Sequence, residues 1–355
     1  MKLDYIIVGQ GISGTWLSYY LQKEGASFLV IDHHDPNAPS RLAAGIINPV
    51  TGRRHVSTWM IETLQPFAWE AYSQLGRELG VKGISQKNII DFFPSAQMRE
   101  SFVKRVEENG AYVSEMESPN QFLPHFNYEF GCGEITPVYT AHLENIIPAW
   151  RKKLVEEHLL REEKLDPGQL TLTSDRVVFK DVEARKIIFC DGALCSRNPW
   201  FQLLPFAPNK GEALFIDIPE LPHDRIYKKG MMLVPMASPG QWWLGSAYEW
   251  DFKNAEPSED FRIKSELLLQ QWLKIPYTIT GHIASIRPAT LERRPFVGLH
   301  PVLPSIGILN GMGTKGCSLA PYFARELARH LLYREPLNPD ADVRRFSRIL
   351  SRNIS

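Results

Sequence analysis

What is scarce in this chain narrows its chemistry first. Of 355 residues only four are cysteines, Cys132, Cys190, Cys195 and Cys317, and no two stand at C-x-x-C zinc spacing. A disulfide framework is not expected at this length; reduced thiols and a cytoplasmic location are. Neither sign of charge prevails, because Lys+Arg and Asp+Glu both number 40. Net charge therefore gives no signature of a nucleic-acid or anionic-membrane partner. Nowhere do apolar residues run for the ~18 positions of a membrane span. The few apolar residues before the first glycines read as a strand and not as a signal peptide. Internal repeats and low-complexity segments are lacking too. The pair His33-His34 stands in a turn-rich loop and reads as solvated, so no metal is expected.

What is present is ample apolar material, 44% of the chain, with nine Trp and 18 Phe. That suits two domains or one large one. The chain opens on Tyr5-Ile6-Ile7-Val8, a buried strand by composition, and runs directly into Gly9-Gln10-Gly11-Ile12-Ser13-Gly14. Helical spacing over 13–23, a stop at Gly25, a second strand over 27–31 and Asp32 at its end complete a βαβ unit. This is G-x-G-x-x-G in the context that gives it meaning. Gly9 allows the turn, Gly11 lets a diphosphate approach the backbone, and Gly14 lets helix and strand pack closely. The N–H groups of Ile12 and Ser13 lie at the positive end of the helix. Asp32 can accept ribose hydroxyls. The motif by itself does not separate NAD from FAD.

Further on, Ser40-Arg41-Leu42-Ala43-Ala44-Gly45-Ile46-Ile47-Asn48-Pro49 is small and apolar, suited to the close approach of a flat ring. Arg53-Arg54-His55 are either cations beside a cofactor or solvated charge. The spacing predicts helices over 58–80, 139–159, 258–273 and 318–332, and strands over 81–135 with polar turns. A hairpin is expected over 170–178. Lys186-Ile187-Ile188-Phe189-Cys190-Asp191-Gly192-Ala193 reads as a parallel strand returning to the nucleotide-binding sheet, its glycine at the ligand-binding edge. Residues 211–218, 231–235, 242–250 and 278–287 read as strands of a second block. Ile306-Gly307-Ile308-Leu309-Asn310 is a strand entering Gly311-Met312-Gly313-Thr314-Lys315-Gly316. The tail places Arg344, Arg348 and Arg352 on one helical face, either a stripe for RNA or the solvated side of a docked helix.

These blocks, taken in order, resemble the D-amino-acid oxidase and glycine oxidase superfamily of FAD-dependent oxidoreductases over nearly the whole chain. The blocks are the glycine motif with Asp32, Ala43-Ala44-Gly45, Asp191-Gly192-Ala193, Ser285-Ile286-Arg287-Pro288-Ala289-Thr290 with Pro295-Phe296-Val297-Gly298, and the 311–316 run with Ala320-Pro321. Within it, Gly245-Ser246-Ala247-Tyr248, Ser258-Glu259-Asp260 and Gly313-Thr314-Lys315-Gly316-Cys317-Ser318 are similar to the oxidoreductase domain of the bifunctional enzyme that makes 5-methylaminomethyl-2-thiouridine in tRNA. Two positions depart from the pattern. Met232 stands where glycine oxidases carry tyrosine, which argues against a free-amino-acid oxidase. Leu291-Glu292-Arg293-Arg294 replaces an acid-glycine pair.

The resemblance implies an α/β fold with a discontinuous Rossmann-like FAD-binding domain of glutathione-reductase type (1–57, 136–200 and 285–335). It implies a second α+β substrate domain on a mostly antiparallel sheet (58–135 and 201–284) and a tail helix over 336–355. Non-covalent FAD would be held by Gly9, Gly11, Ile12, Ser13, Gly14, Asp32 and His33; by Arg41, Ala43, Ala44, Gly45 and Ile47; by Asp191, Gly192 and Ala193; and by Arg287, Gly311, Gly313, Thr314, Lys315 and Gly316. By the resemblance Arg287 would pair with a substrate carboxylate; read by itself it could also serve a structural ion pair. Tyr248, at the end of a strand, would either contact substrate and exclude water or be a buried core tyrosine, and Lys315 would either place positive charge beside the flavin or point to solvent. The implied reaction is oxidation of the C–N bond of an amine or amino acid, an N-substituted glycine, by hydride transfer to flavin N5. Three alternatives stand beside it: a tRNA wobble-uridine-modifying oxidoreductase, an NAD(P)-dependent dehydrogenase, and a non-catalytic flavin-binding protein.

Overall fold

The apolar run at residues 5–8 is buried within the strand Lys2–Val8 of an eight-stranded sheet. The computed structural model describes residues 1–108 and 110–354. Lys2–Val8 pairs in parallel with Phe28–Ile31 on one side and Val182–Phe189 on the other, and Leu160–Arg161 extends the parallel set beyond Phe28–Ile31. Val182–Phe189 divides its far edge between two partners. Its first residues pair with the antiparallel hairpin Leu170–Leu172 and Val177–Phe179, and its last with the parallel strand Ile306–Asn310. Strands this apolar need cover on both faces. The helices Ile12–Lys23, Ile61–Leu79, Leu143–Glu156 and Gly316–Tyr333 bring Trp16, Leu64, Trp150 and Phe323 to one face. Phe179, Phe201, Val343 and Leu350 join the core on the other.

A second eight-stranded sheet runs Thr278–Arg287, Asn209–Asp217, Gln241–Gly245, Met231–Pro235, Ile226–Lys229, Ile89–Phe92, Cys132–Ile135, Val113–Glu115. All neighbours are antiparallel except Ile226–Lys229 beside Ile89–Phe92. Strand alternation sorts its side chains. Leu214, Ile216, Leu244 and Phe92 face the core under the helix Glu259–Trp272, while Ala213, Trp243, Val234 and Ile89 face the opposite way. That opposite face meets the loops of the first sheet: Ser285 Oγ donates to the Asn37 carbonyl (2.7 Å) and Trp243 Nε1 to the Leu42 carbonyl (3.1 Å). No helix is long and apolar enough to cross a membrane among the described residues.

Several elements differ from the sequence expectations. Residues 139–159 are not one helix: Tyr139–Ala141 is a strand between Ile46–Ile47 and Ile84–Gln86, and the helix begins at Leu143. Long-range main-chain pairing takes residues whose side-chain spacing continues a helical pattern. Within 81–135 the helix Ala96–Glu107 replaces an expected strand. Ser95 caps it by accepting from the Met98 N–H, and of its residues only Phe102 is buried, too little to show an apolar stripe. The parallel strand expected to reach Ala193 ends at Phe189, and Gly192–Arg197 is a 3-10 helix. The strand expected over 242–250 ends at Gly245. The tail is a sequence of short turns, a 3-10 helix at Val343–Phe346 and an α-turn at Ser347–Leu350, with Arg344 paired to Asp342 rather than aligned in a continuous stripe.

Candidate active site

The glycine loop is built as its spacing requires. A Cβ on Gly14 would lie 1.8 Å from the Gly9 carbonyl oxygen, so no larger residue fits there. A Cβ on Gly11 would meet only the Ser40 side chain, leaving the rest of that approach clear. Ser40 Oγ accepts the Ile12 N–H (2.9 Å), and among the described residues the N–H groups of Gly11 and Ser13 have no partner. The first turn of Ile12–Lys23 holds no acid. Unpartnered N–H groups at an acid-free helix start make a seat for a diphosphate.

Asp32 lies at the end of Phe28–Ile31. One carboxylate oxygen accepts the Gln10 N–H (2.9 Å); the other accepts from Arg151 (2.6 Å) and the His34 N–H (3.0 Å). Burial works against its charge, but these donors outweigh it and hold its pKa below the usual range. Arg151 also bonds Gln10 and Glu162, so it locks the glycine loop to the acid. Arg151 escaped sequence reasoning. The available signal was a charged residue among Ile147, Trp150 and Leu154 on the buried face of its helix. His33 and Ala43 are exposed, Arg41 and Ala44 are half-buried, and Gly45 and Ile47 are buried, with the Gly45 carbonyl accepting the Ala141 N–H.

The run at 311–316 is the hinge between the two sheets. Gly313 N–H donates to the Pro288 carbonyl (3.1 Å), just past Arg287, while Gly316 packs near Ile12 of the glycine loop. Thr314 is exposed and Lys315 is half-buried. Lys315 Nζ donates to the Asn48 carbonyl (3.3 Å) and Thr58 Oγ1 (3.4 Å). Neither acceptor is charged, and burial pushes its pKa down to about 8. Asp191 turns inward: Asn310 donates to it (3.1 Å) and to the Gly192 carbonyl (3.0 Å), clamping the ends of two parallel strands together. Burial raises its pKa to about 6. Gly192 and Ala193 follow it in the 3-10 helix. Burial pushes the Cys317 thiol up to about 12. All four cysteines are free and buried.

Arg287 ends the edge strand of the second sheet on the face turned toward these loops. Its Nη1 donates to Asn209 Oδ1 (2.7 Å) and to the Ala247 carbonyl (3.1 Å), and the guanidinium lies over the Tyr248 ring, 5.1 Å from its centroid. No carboxylate among the described residues pairs with it, and burial lowers its pKa. Tyr248 is 60% exposed, three residues beyond its strand, and so is not a core tyrosine. Met232 is half-buried on the same face, between Gly245 and Lys228 in register. Arg53 and Arg54 are exposed, whereas His55 is buried with its Nε2 2.8 Å from Asp91, which also takes Lys228 (2.7 Å). Among the described residues no group of three or more His, Cys, Asp or Glu could hold a metal.

Free N–H groups in a glycine loop on one sheet, a glycine-rich run at 311–316 and, on the other sheet, a guanidinium with no carboxylate partner among the described residues suit a dinucleotide-dependent oxidoreductase. The chain belongs to the DAO family of FAD dependent oxidoreductases, whose model matches residues 4–330. FAD is its cofactor, and the clear approach at Gly11 with the unpartnered N–H groups beside it fits that group. Among solved structures it is similar to iminodiacetate oxidase from Chelativorans sp. BNC1 (17% identity, TM-score 0.75, 94% of this chain and 96% of that one). It is also similar to glycine oxidase from Geobacillus kaustophilus (18% identity, TM-score 0.74, 95% and 96%) and to L-proline dehydrogenase from P. horikoshii (15% identity, TM-score 0.78, 98% of each). These confirm the two-domain α/β fold. An uncharacterized oxidoreductase, YurR, of Bacillus subtilis (strain 168) is 44% identical over 56 residues, a match spanning 16% of this chain and 15% of that protein.

Proposed function

We propose that the protein oxidises the C–N bond of a small amine that carries a carboxylate, an N-substituted glycine. The observation that carries this is Arg287: a half-buried guanidinium facing the hinge loops, whose hydrogen-bond acceptors are neutral and which has no carboxylate partner among the described residues. A cation left unpaired in a desolvated place calls for an anion from outside. The similar structures named for iminodiacetate and glycine oxidation support a carboxylate beside an amine.

Bound FAD supplies the hydride acceptor. The amine carbon gives up a hydride and the nitrogen a proton, and water hydrolyses the resulting imine to a shorter amine and a carbonyl acid. Arg287 orients the carboxylate. Tyr248 borders it and limits water. Lys315, with only neutral acceptors, supplies positive charge at the hinge, where the N–H groups of the Gly316–Tyr333 helix add the same sign. Gly9, Gly11, Ile12, Ser13, Gly14, Asp32 and Arg41 serve the nucleotide end, and the 43–47 and 311–316 segments the ring end. A second reading is removal of a carboxymethyl group from a tRNA nucleoside. It is favoured by Tyr248, 60% exposed against the guanidinium, and by Trp250, 59% exposed two residues further on, since exposed rings stack on bases.

Anaerobic titration of the yellow holoenzyme with sarcosine, iminodiacetate, glycine and a carboxymethylaminomethyl-uridine nucleoside tests the proposal. Bleaching by an N-substituted glycine is expected. A flavin bleached only by the nucleoside or by tRNA would select the second reading, and one bleached by none would refute the first.

A further inference from the structure

The guanidinium of Arg287 is not equally available on all its edges. It has five N–H bonds. Both on Nη1 are taken, one by Asn209 Oδ1 at 2.7 Å and one by the Ala247 carbonyl at 3.1 Å. The three on Nε and Nη2 have no partner among the described residues, and neither atom is sealed from solvent. Two further neighbours crowd the group. Its Cζ lies over the Tyr248 ring, 5.1 Å from the centroid. It also packs closely on Gly211, where a Cβ would fall 1.8 Å from Nη2 and 2.1 Å from Cζ.

From this we infer that Asn209 is the positioning residue that decides how the substrate carboxylate binds. The inference rests on the proposal that Arg287 takes that carboxylate. With Nη1 committed, the end-on fork is closed, and the carboxylate must bind side-on, both oxygens in the guanidinium plane along the Nε–Nη2 edge. Asn209 suits this role because it is neutral. It is 1% exposed and uses both ends of its amide: Oδ1 accepts from Arg287, and Nδ2 donates to the Glu249 carbonyl at 3.0 Å. The second bond holds the 246–250 loop, which carries the Ala247 carbonyl and the Tyr248 ring. One buried amide thus sets the arginine edge and the loop that covers it, without spending the positive charge the substrate needs.

The neutral oxygen makes the test sharp. Asn209→Asp keeps the size and the bond to Nη1 but places an internal anion on the guanidinium. A structural role ranks Asp as milder than Ala. A positioning role ranks it as worse, because the internal carboxylate competes with the external one. Calorimetric titration of the FAD-loaded protein with methoxyacetate, an inert ether analogue of sarcosine, and with neutral methoxyacetamide measures this directly. Expected is a loss of methoxyacetate affinity of about 10-fold in Asn209→Ala and on the order of 100-fold in Asn209→Asp, with FAD content kept and methoxyacetamide binding unchanged. Asn209→Asp binding methoxyacetate as tightly as wild type, or both ligands weakening alike, overturns the inference. Arg287→Lys separates the two levels of argument. If it abolishes methoxyacetate binding while Asn209→Asp does not, the edge assignment fails and the carboxylate site stands. If Arg287→Lys has no effect, or wild type binds neither ligand, the site itself is wrong and the inference falls with it.

Discussion

At the residue scale the proposed site turns on two cations, Arg287 and Lys315, which have no anionic partner among the described residues. Arg287→Ala removes charge-assisted hydrogen bonds worth about 3 kcal/mol at most. We expect KM for carboxylate amines to rise on the order of 100-fold while FAD content is unchanged; an unaltered kcat/KM takes Arg287 out of the site. Lys315 has its pKa pushed down to about 8 by burial. Its charged form is thus present below about pH 8 and lost above it. If that charge assists turnover, the rate falls on the alkaline side with an apparent pKa near this value, and Lys315→Met flattens that limb of the profile. An alkaline limb that persists in Lys315→Met belongs to another group.

At the element scale, Asp191 shows a strand end serving as a clamp. Its carboxyl is raised from 3.8 to about 6 by burial despite bonds from Cys195, Asn198 and Asn310. A raised folded-state pKa favours the protonated form. The stability it contributes is complete below the unfolded pKa near 4 and is lost as pH rises through about 6, a cost of roughly 3 kcal/mol at neutral pH. Asp191→Asn is therefore expected to melt higher than wild type at neutral pH, with the gap closing toward about pH 4. A gap that widens on acidification contradicts the assignment. The buried His55–Asp91–Lys228 cluster is a second clamp, fastening the Val50–Ser57 hairpin to the second sheet; burial opposes the Asp91 charge, but Lys228 and His55 hold its pKa down. The same hairpin leads to Thr58, which holds Lys315.

For the whole molecule, FAD binding must couple to folding, because the hinge at 311–316 and the 40–58 segment touch both sheets. A ligand that binds only the folded state stabilises it by about 2.7 kcal/mol at 100 times its Kd. For a chain of 355 residues that corresponds to roughly 4 °C in Tm. Gly11→Glu puts a carboxylate where the diphosphate approaches. It should lose both the bound flavin and the FAD-dependent rise in Tm while the apoprotein still melts cooperatively, a comparison made by scanning calorimetry with and without FAD. Full FAD occupancy in Gly11→Glu refutes the diphosphate seat.

What the sequence determined by itself was everything that depends on near neighbours in the chain. The Gly9–Gly14 loop, the apolar strands 5–8 and 306–310 and the helix closing on Gly316–Tyr333 are short-range patterns, and ordered blocks were enough to identify the FAD fold. Arg287 was legible as a candidate because arginine in that block has a specific chemistry. What only the tertiary structure decided is what depends on which residues meet. Tyr139–Ala141 became a strand because Gly45 and Ile84–Gln86 offered main-chain partners from far away in the chain. Arg151 reaches Asp32 across 119 positions and Asn209 reaches Arg287 across 78. His55 was ambiguous between site and solvent until Asp91 buried it. The physical reason is the same in each case. A hydrogen bond or ion pair gains most where burial has removed water, and which residues are buried together is set by the packing of two sheets whose partners the local pattern does not name.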